Sequence, residues 1–307
     1  MKTIKVFAPA TVANVGPGFD VLGLALDGIG DELEVTLNDS KEITIHPIAG
    51  FEDLPVDPKK NVVGVAIQAL LDDLDATHGF DIKISKRVMP GSGLGSSASS
   101  SAAAAFAANE LLGQPFSKKQ LVKFAMEGER CASGKAHADN VTPAILGGFT
   151  IVRSYTPLDV VNVPFPDELF VVVVHPQIEV KTSDSKRILK KDVSLETAIG
   201  QWGNVAGLIA GLASSDYDLI GRSLEDYIVE PIRSVLIPGY DGAKSLALEH
   251  GALGCSISGS GPSIFALTKG KEVAEKIGER FKEYYSKLEI DHKVYVSAIN
   301  AEGAKVI

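Results

Sequence analysis

The sequence predicts an α+β fold in two parts, and three observations carry that expectation. A strand-like run, Phe80-Asp81-Ile82-Lys83-Ile84, leads into a glycine–serine turn and then an alanine-rich helix. Ahead of it lie segments that alternate apolar and polar residues, as half-buried strands do. The second half runs strand, two helices, strand-turn-strand, helix, strand, which suits an α+β sandwich rather than a doubly wound sheet. At 307 residues the chain can hold two domains and bury a substantial core.

Taken in order, Ile4 to Phe7 reads as a first strand, broken by Ala8-Pro9-Ala10-Thr11. Val12 to Asp20 follows as a turn-rich loop whose polar side chains are Asn14 and Asp20. Both residue types bond readily to nearby backbone, so holding the turn accounts for them as well as a site does. Leu22 to Leu26 is apolar, and Asp31 to Leu37 and Glu42 to Ile45 alternate as strands around a turn at Asn38-Asp39-Ser40. After the surface stretch Leu54 to Lys60, Asn61 is a candidate cap for a helix to Leu71, which should lie under the glycine loop.

That loop is Pro90-Gly91-Ser92-Gly93-Leu94-Gly95-Ser96-Ser97-Ala98-Ser99-Ser100-Ser101, running into Ala102 to Ala105. Glycines at 91, 93 and 95 let the backbone take positive φ and approach a ligand closely. The helix formers behind them put free N–H groups and a positive dipole end against the bound group, which is how an anion site is built. A flexible linker is the competing reading, but the strand before and the helix after argue against it. The spacing is not GxGxxG, and no Gly-Lys-Ser/Thr closes a Walker loop.

Ser117 to Glu129 reads as an amphipathic helix with Leu121, Phe124 and Ala125 on one face. The polar segment Ser133 to Pro143 follows, between helix-like and strand-like stretches. A loop histidine is often structural or solvated, yet His137, Asp139 and Asn140 fall within four positions, with Glu127 ten residues before His137, and such clustering favours a site. Gly147 to Val152 closes the first half, with an exit at Ser154-Tyr155-Thr156-Pro157.

Leu169 to Val174 is a continuous apolar run and so a central strand. Lys181 to Arg187 supplies a basic group at the edge of a new helix, and helical patterns occupy Leu195 to Ser214 and Asp218 to Tyr227. Arg233 follows Glu230-Pro231-Ile232, and a second glycine–serine turn spans Gly254 to Ser263. Ile264 to Leu267, an amphipathic helix Lys271 to Lys287, and a strand Lys293 to Ser297 complete the pattern.

Composition narrows the function. A net charge of −9 disfavours broad nucleic-acid or anionic-membrane binding, while leaving room for a local basic pocket. Cys131 and Cys255 have no CxxC spacing and no histidine cluster, so neither zinc nor a disulfide framework is indicated. No apolar leader precedes Thr3-Ile4-Lys5-Val6-Phe7 and no run reaches a membrane span, so a cytoplasmic location is expected. Several apolar stretches suit a homodimer face as well as a core.

Three ordered segments, Pro9-Ala10-Thr11-Val12-Ala13-Asn14 through Asp20, Pro90 through Ala98, and Ser258-Gly259-Ser260-Gly261-Pro262-Ser263, resemble the three motifs of the GHMP small-molecule kinases. Within that family, Gly18-Phe19-Asp20-Val21-Leu22-Gly23 and His137-Ala138-Asp139-Asn140 look like the branch that acts on L-homoserine. The resemblance runs from Val6 to the last strand. It implies an N-terminal ribosomal-protein-S5-domain-2-like domain over residues 1–155, a ferredoxin-like C-terminal domain over residues 156–307, and a site between them. It also implies ATP, Mg²⁺ and the phosphorylation of L-homoserine to O-phospho-L-homoserine on the route to threonine.

Position by position, the resemblance gives the phosphates to Pro90, Gly91, Ser92, Gly93, Leu94, Gly95, Ser96, Ser97, Ala98, Ser99 and Ser100, and puts Asn61 near the adenine. Ser97 and Glu127 would hold Mg²⁺, which prefers oxygen ligands. Gly259, Ser260 and Gly261 would pack against the phosphate loop. Asn14, Asp20, His137, Asn140, Arg187 and Arg233 would take the acceptor, with Asp20 suiting its ammonium and an arginine fork its carboxylate. Asn140 would orient the acceptor hydroxyl, with Asp139 the competing candidate as a base.

Two departures stand out. Relatives carry Ala-Arg where this chain has Ser185-Lys186, so Lys186 competes with Arg187 for the carboxylate, and mevalonate-type relatives carry lysine where this chain has Thr11. Two other functions remain open: a kinase of the same fold acting on a mevalonate-pathway or shikimate-like alcohol, and a nucleotide-binding sensor without catalysis.

Overall fold

The computed structural model describes residues 2–178, 185 and 187–307. Strand β1, Lys2–Ala13, does not stop at Pro9. A register shift between Pro9 and Thr11 accommodates the proline, and the strand continues against β2, Leu22–Asn38. The two strands expected over Leu22–Leu37 are therefore one, 17 residues long, whose far end pairs with β4, Gly79–Ser85, and whose near end pairs with β5, Phe149–Tyr155. The short β3, Ile43–Ile45, lies parallel to β4.

Strand β6, Leu158–Val163, folds back on β5, and β11, Lys305–Val306, adds to the outer edge of β1, giving a seven-stranded sheet. The β5–β6 hairpin thus straddles the expected domain border after residue 155. Helices α1, Val62–Asp73, α2, Ser96–Leu111, α3, Leu121–Ser133, and α4, Ala138–Leu146, pack with this sheet. Helix α2 is buried on nearly every side, and its alanines and serines let α1, α3 and β1 come close. At Gly128 an added Cβ would lie 2.3 Å from Ser101 Oγ and 2.8 Å from the Val62 carbonyl, so α3 has no room for a side chain there.

The polar run around His137 was expected as a loop, but Ala138 opens a helix with Pro143 inside it. Proline has no N–H for the carbonyl four residues back, which belongs to Asp139. That carbonyl packs against Gly23, where an added Cβ would come within 1.9 Å of it.

The second sheet is antiparallel, ordered β10-β7-β9-β8, from β7, Leu169–Pro176, β8, Gly254–Ile257, β9, Ile264–Lys269, and β10, His292–Ala298. In chain order this is fourth-first-third-second, the ferredoxin-like arrangement, with β7 interior as its apolar run predicts. Alternation divides its faces: Val172 and Val174 join a core with Tyr240, Phe281 and Tyr285. Val171 and Val173 join Leu22, Leu24 and Leu26 of β2 and Leu208 and Leu212 of the helix Leu195–Ser214. This second core clamps the two halves, each fully buried Leu or Phe contributing about 1.5–3 kcal/mol. The helix expected over Asp218–Tyr227 spans only Tyr217–Ser223, because Asp226 draws in the N–H groups of Ile228, Val229 and Glu230 and turns the chain. Among the described residues, no helix is long and apolar enough to cross a membrane.

Candidate active site

The glycine loop and the clamp between the halves meet at a cavity of about 450 Å³. Gly91, Gly93 and Gly95 all take positive φ, at 72°, 80° and 62°, as the sequence predicts. Gly95 is the left-handed cap of α2 and no side chain caps that helix, so its first N–H groups are left for a ligand. The Thr11 amide donates to the Leu94 carbonyl at 3.1 Å, and Ser258 Oγ donates to the Gly93 carbonyl at 2.6 Å. A Cβ on Gly93 would fall 2.6 Å from the Ser258 carbonyl, so the third motif is pressed against the second.

Pro90, Gly91, Ser92, Gly93, Gly95, Ser96, Ser97 and Ser100 reach the cavity wall. Leu94, Ala98 and Ser99 do not, because they are structural: Ser99 Oγ accepts from the Asp31 amide and donates to the Ala8 carbonyl, and Leu94 and Ala98 are in the core. Asn61 caps α1, accepting from Val63 N at 2.9 Å and donating to the Pro55 carbonyl at 2.6 Å. It borders an apolar corner made by Ile48, Leu54, Val62 and Ile84.

Glu127 is not at the cavity. Its carboxylate is half exposed and takes Arg130 Nε at 3.0 Å. Residues two positions apart on a helix are separated by about 200° around its axis, and with Gly128 against α1 and α2 it is Glu129, only 6% exposed, that lines the cavity with Ser97. Arg187 is exposed and off the cavity wall, and its rival Lys186 lies outside the described residues.

Arg233, in contrast, is 2% exposed and lines the cavity. Its Nε donates to the Ser185 carbonyl and its Nη1 to the Gly259 carbonyl, both at 3.2 Å, and its guanidinium lies 4.9 Å from the Phe19 ring. Burial pulls its pKa below the usual arginine range, while Asp20, Asp226 and Asp139 oppose that shift.

Asn14 commits both amide ends to the fold: Nδ2 donates to the Gly259 carbonyl at 2.7 Å and Oδ1 accepts from Asp20 N at 3.1 Å. Its φ of 72°, like the 58° of Asp20, suits residues that tolerate the left-handed region. Asp20 Oδ1 stands 3.6 Å from His137 Nδ1, and Tyr155 Oη donates to the Asp20 carbonyl at 3.1 Å. Gly259 and Ser260 line the cavity; Gly261 supports the turn behind it, donating to the Ser258 carbonyl.

Asp139 lines the cavity at 3% exposure, and its Oδ1 has no hydrogen-bond partner among the described residues. Burial, with the nearby charges of Asp20 and Glu129, pushes its pKa up to about 7. The folded protein therefore holds a proton that the unfolded chain releases near pH 4. This contribution to stability is present at low pH and is lost as pH rises through about 7. We expect the melting temperature of the wild type to fall between pH 5 and pH 8 relative to Asp139→Asn, measured by thermal unfolding across that range. Parallel curves for the two proteins would contradict the assignment.

Lys86 is a component that sequence reasoning missed. Its side chain is 5% exposed and ion-paired with Asp31, and its Nζ donates to the Ser96 carbonyl at 2.7 Å and to Ser100 Oγ at 3.0 Å. Asp31, fully buried, also accepts from the amides of Arg87 and Val88. A lysine just past a strand looks like any solvated charge, and only the burial of Asp31 marks it out.

A helix N-terminus facing a cavity that also holds a carboxylate pair and a buried arginine is the layout of a small-molecule phosphotransferase. Family models for the GHMP kinases N terminal domain and the GHMP kinases C terminal region match residues 61–148 and 208–287. The chain belongs to the GHMP kinase family, and as a kinase it uses ATP as phosphate donor.

It is 50% identical to a homoserine kinase of Chlorobium phaeobacteroides, with all of both chains covered. It is 47% identical to a homoserine kinase of Chlorobaculum tepidum, over 100% of this chain and 99% of the other. A crystal structure of homoserine kinase from Cytophaga hutchinsonii superposes with a TM-score of 0.97 at 53% identity, covering 100% of this chain and 98% of that one.

Proposed function

We propose that this protein transfers the γ-phosphoryl group of ATP to the side-chain hydroxyl of L-homoserine, on the route to threonine. One observation carries the reading beyond the family: the cavity that reaches the α2 N-terminus also contains Asp20 and the buried Arg233, opposite charges suited to the ammonium and carboxylate of an amino acid. The adenine would lie in the apolar corner beside Asn61, and the phosphates against Gly91 to Ser97. His137 would steady Asp20, and Asn140 would meet the acceptor hydroxyl.

The oxygen donors of Ser97 and Glu129 fit Mg²⁺, which takes few protein ligands and completes its shell with water and phosphate oxygens. The ion, when bound, would neutralise charge on the phosphates. Among the described residues, no group of three or more His, Cys, Asp or Glu side chains could hold a metal without a nucleotide.

In the transfer, the homoserine oxygen forms a bond to the γ-phosphorus as the bond to the bridging oxygen of ADP breaks. The hydroxyl proton leaves to a phosphoryl oxygen or to Asp139. Because phosphoryl transfer asks mainly for alignment and charge neutralisation, the first route needs no strong base. The free cysteines Cys131 and Cys255 accord with a cytoplasmic setting, and light scattering would test the homodimer.

The deciding experiment is ADP release from Mg-ATP with L-homoserine, mevalonate, shikimate and galactose offered in parallel, with and without EDTA. The expected result is EDTA-sensitive turnover with L-homoserine alone. Turnover with another alcohol would move the acceptor assignment, and nucleotide binding without turnover would indicate a sensor.

A further inference from the structure

Thr11 is fully buried in β1, at the register shift that follows Pro9. Its hydroxyl donates to Asn140 Oδ1 at 2.7 Å, while its amide holds the Leu94 carbonyl of the phosphate loop. Gly95 sits directly on this pair: an added Cβ would fall 2.0 Å from Thr11 Oγ1 and 2.9 Å from Asn140 Oδ1. One contact therefore ties the cap of α2 to a side chain on the acceptor wall of the cavity.

The direction of the hydrogen bond follows from burial. A buried hydroxyl must place its proton on an acceptor, and among the described residues Thr11 Oγ1 places its own on Asn140 Oδ1. A primary amide has one carbonyl end and one NH₂ end. With the carbonyl taken by Thr11, Asn140 turns its NH₂ to the cavity.

On the reading that this protein phosphorylates L-homoserine, we infer that Thr11 is a positioning residue, fixing Asn140 with Nδ2 toward the acceptor oxygen and tying that orientation to the phosphate loop. Asn140 then meets the acceptor oxygen as a hydrogen-bond donor and, being an amide, does not take the hydroxyl proton. Thr11 itself touches neither substrate. Its effect is on alignment, so it should appear in kcat and not in the affinity for ATP.

The test compares wild type, Thr11→Val, Thr11→Ser, Asn140→Ala and the Thr11→Val/Asn140→Ala double variant by kcat, KM for each substrate and thermal melting. Thr11→Val keeps the shape and removes the donor. It should lower kcat roughly 10–100-fold, the scale of a misaligned reacting group, with KM for ATP within about twofold of wild type. Thr11→Ser should return kcat to within about threefold. In the Asn140→Ala background Thr11→Val should cost nothing more, because there is no amide left to orient.

An unimpaired kcat in folded Thr11→Val, a full additional loss in the double variant, or failure of serine to rescue would each overturn the inference. If Thr11→Val does not fold, Thr11→Ala, which also removes the donor, is read in its place, and a wild-type kcat there overturns the inference equally. A wild type that turns over no L-homoserine defeats the function reading and this inference with it. A wild type active on L-homoserine beside an unimpaired Thr11→Val defeats only the role of Thr11.

Discussion

Glu129→Gln will lower kcat by about 10³-fold, the upper range for removing a single charge-stabilising group at a phosphoryl or acyl transfer site, while Glu127→Gln will stay within about twofold of wild type. The two carboxylates are two residues apart on α3 but face different surroundings. Glu127 is at the surface with Arg130, an exposed pair of little energetic consequence. Glu129 is in the cavity with Ser97, and glutamine preserves its size while removing the charge that a magnesium ion needs. Initial rates at saturating ATP over a magnesium titration check both variants. A loss in Glu127→Gln matching that in Glu129→Gln would mean that α3 presents a different face to the nucleotide.

Lys86→Met should be strongly destabilising. It strands the fully buried Asp31 carboxylate, and breaking a buried pair from one side costs about 3–5 kcal/mol. For a protein of this size that lowers the melting temperature by roughly 5–8 °C. The same lysine fastens Ser96 and Ser100 at the start of α2, so KM for ATP should rise as well. Removing the charge of Asp31 in the same protein should recover only part of the stability. The amides of Arg87 and Val88 depend on that carboxylate, and an apolar replacement would leave them unpaired. Thermal unfolding of the two single variants and the double variant tests this, and an unchanged melting temperature in Lys86→Met would contradict it.

What the sequence made legible was whatever local chemistry dictates. Three positive-φ glycines ahead of an alanine-rich helix could be read directly as a turn feeding a helix start, and Asn61 before an apolar helix as a cap. The apolar run at Leu169 correctly implied an interior strand. Properties set by helix phase or by distant partners were harder to read. Glu127 and Glu129 both sit in an amphipathic helix, and the constraint that turns the second inward is the lack of space at Gly128 beside α1 and α2. Arg187, already in competition with Lys186 at the level of sequence, stays exposed, whereas Arg233 is drawn inward by carbonyls of Ser185 and Gly259 that come from far along the chain. Pro9 looked like a strand end because a proline removes a ladder bond, and the register shift that accommodates it is a property of the pair of strands.

The pairing of β1 with β11 also bears on how the protein is made. Val6 and Phe7 leave the ribosome early, whereas their partners Val306 and Lys305 are synthesised about three hundred residues later. At about 5–20 residues per second, that interval is roughly 15–60 s. Throughout it, the outer edge of the first sheet is an open row of amides and carbonyls, able to pair with the same edge of another nascent chain. Crowded translation, such as overexpression, should therefore favour edge-to-edge association before the late strand arrives, and slower initiation or added chaperone should improve the yield of native enzyme.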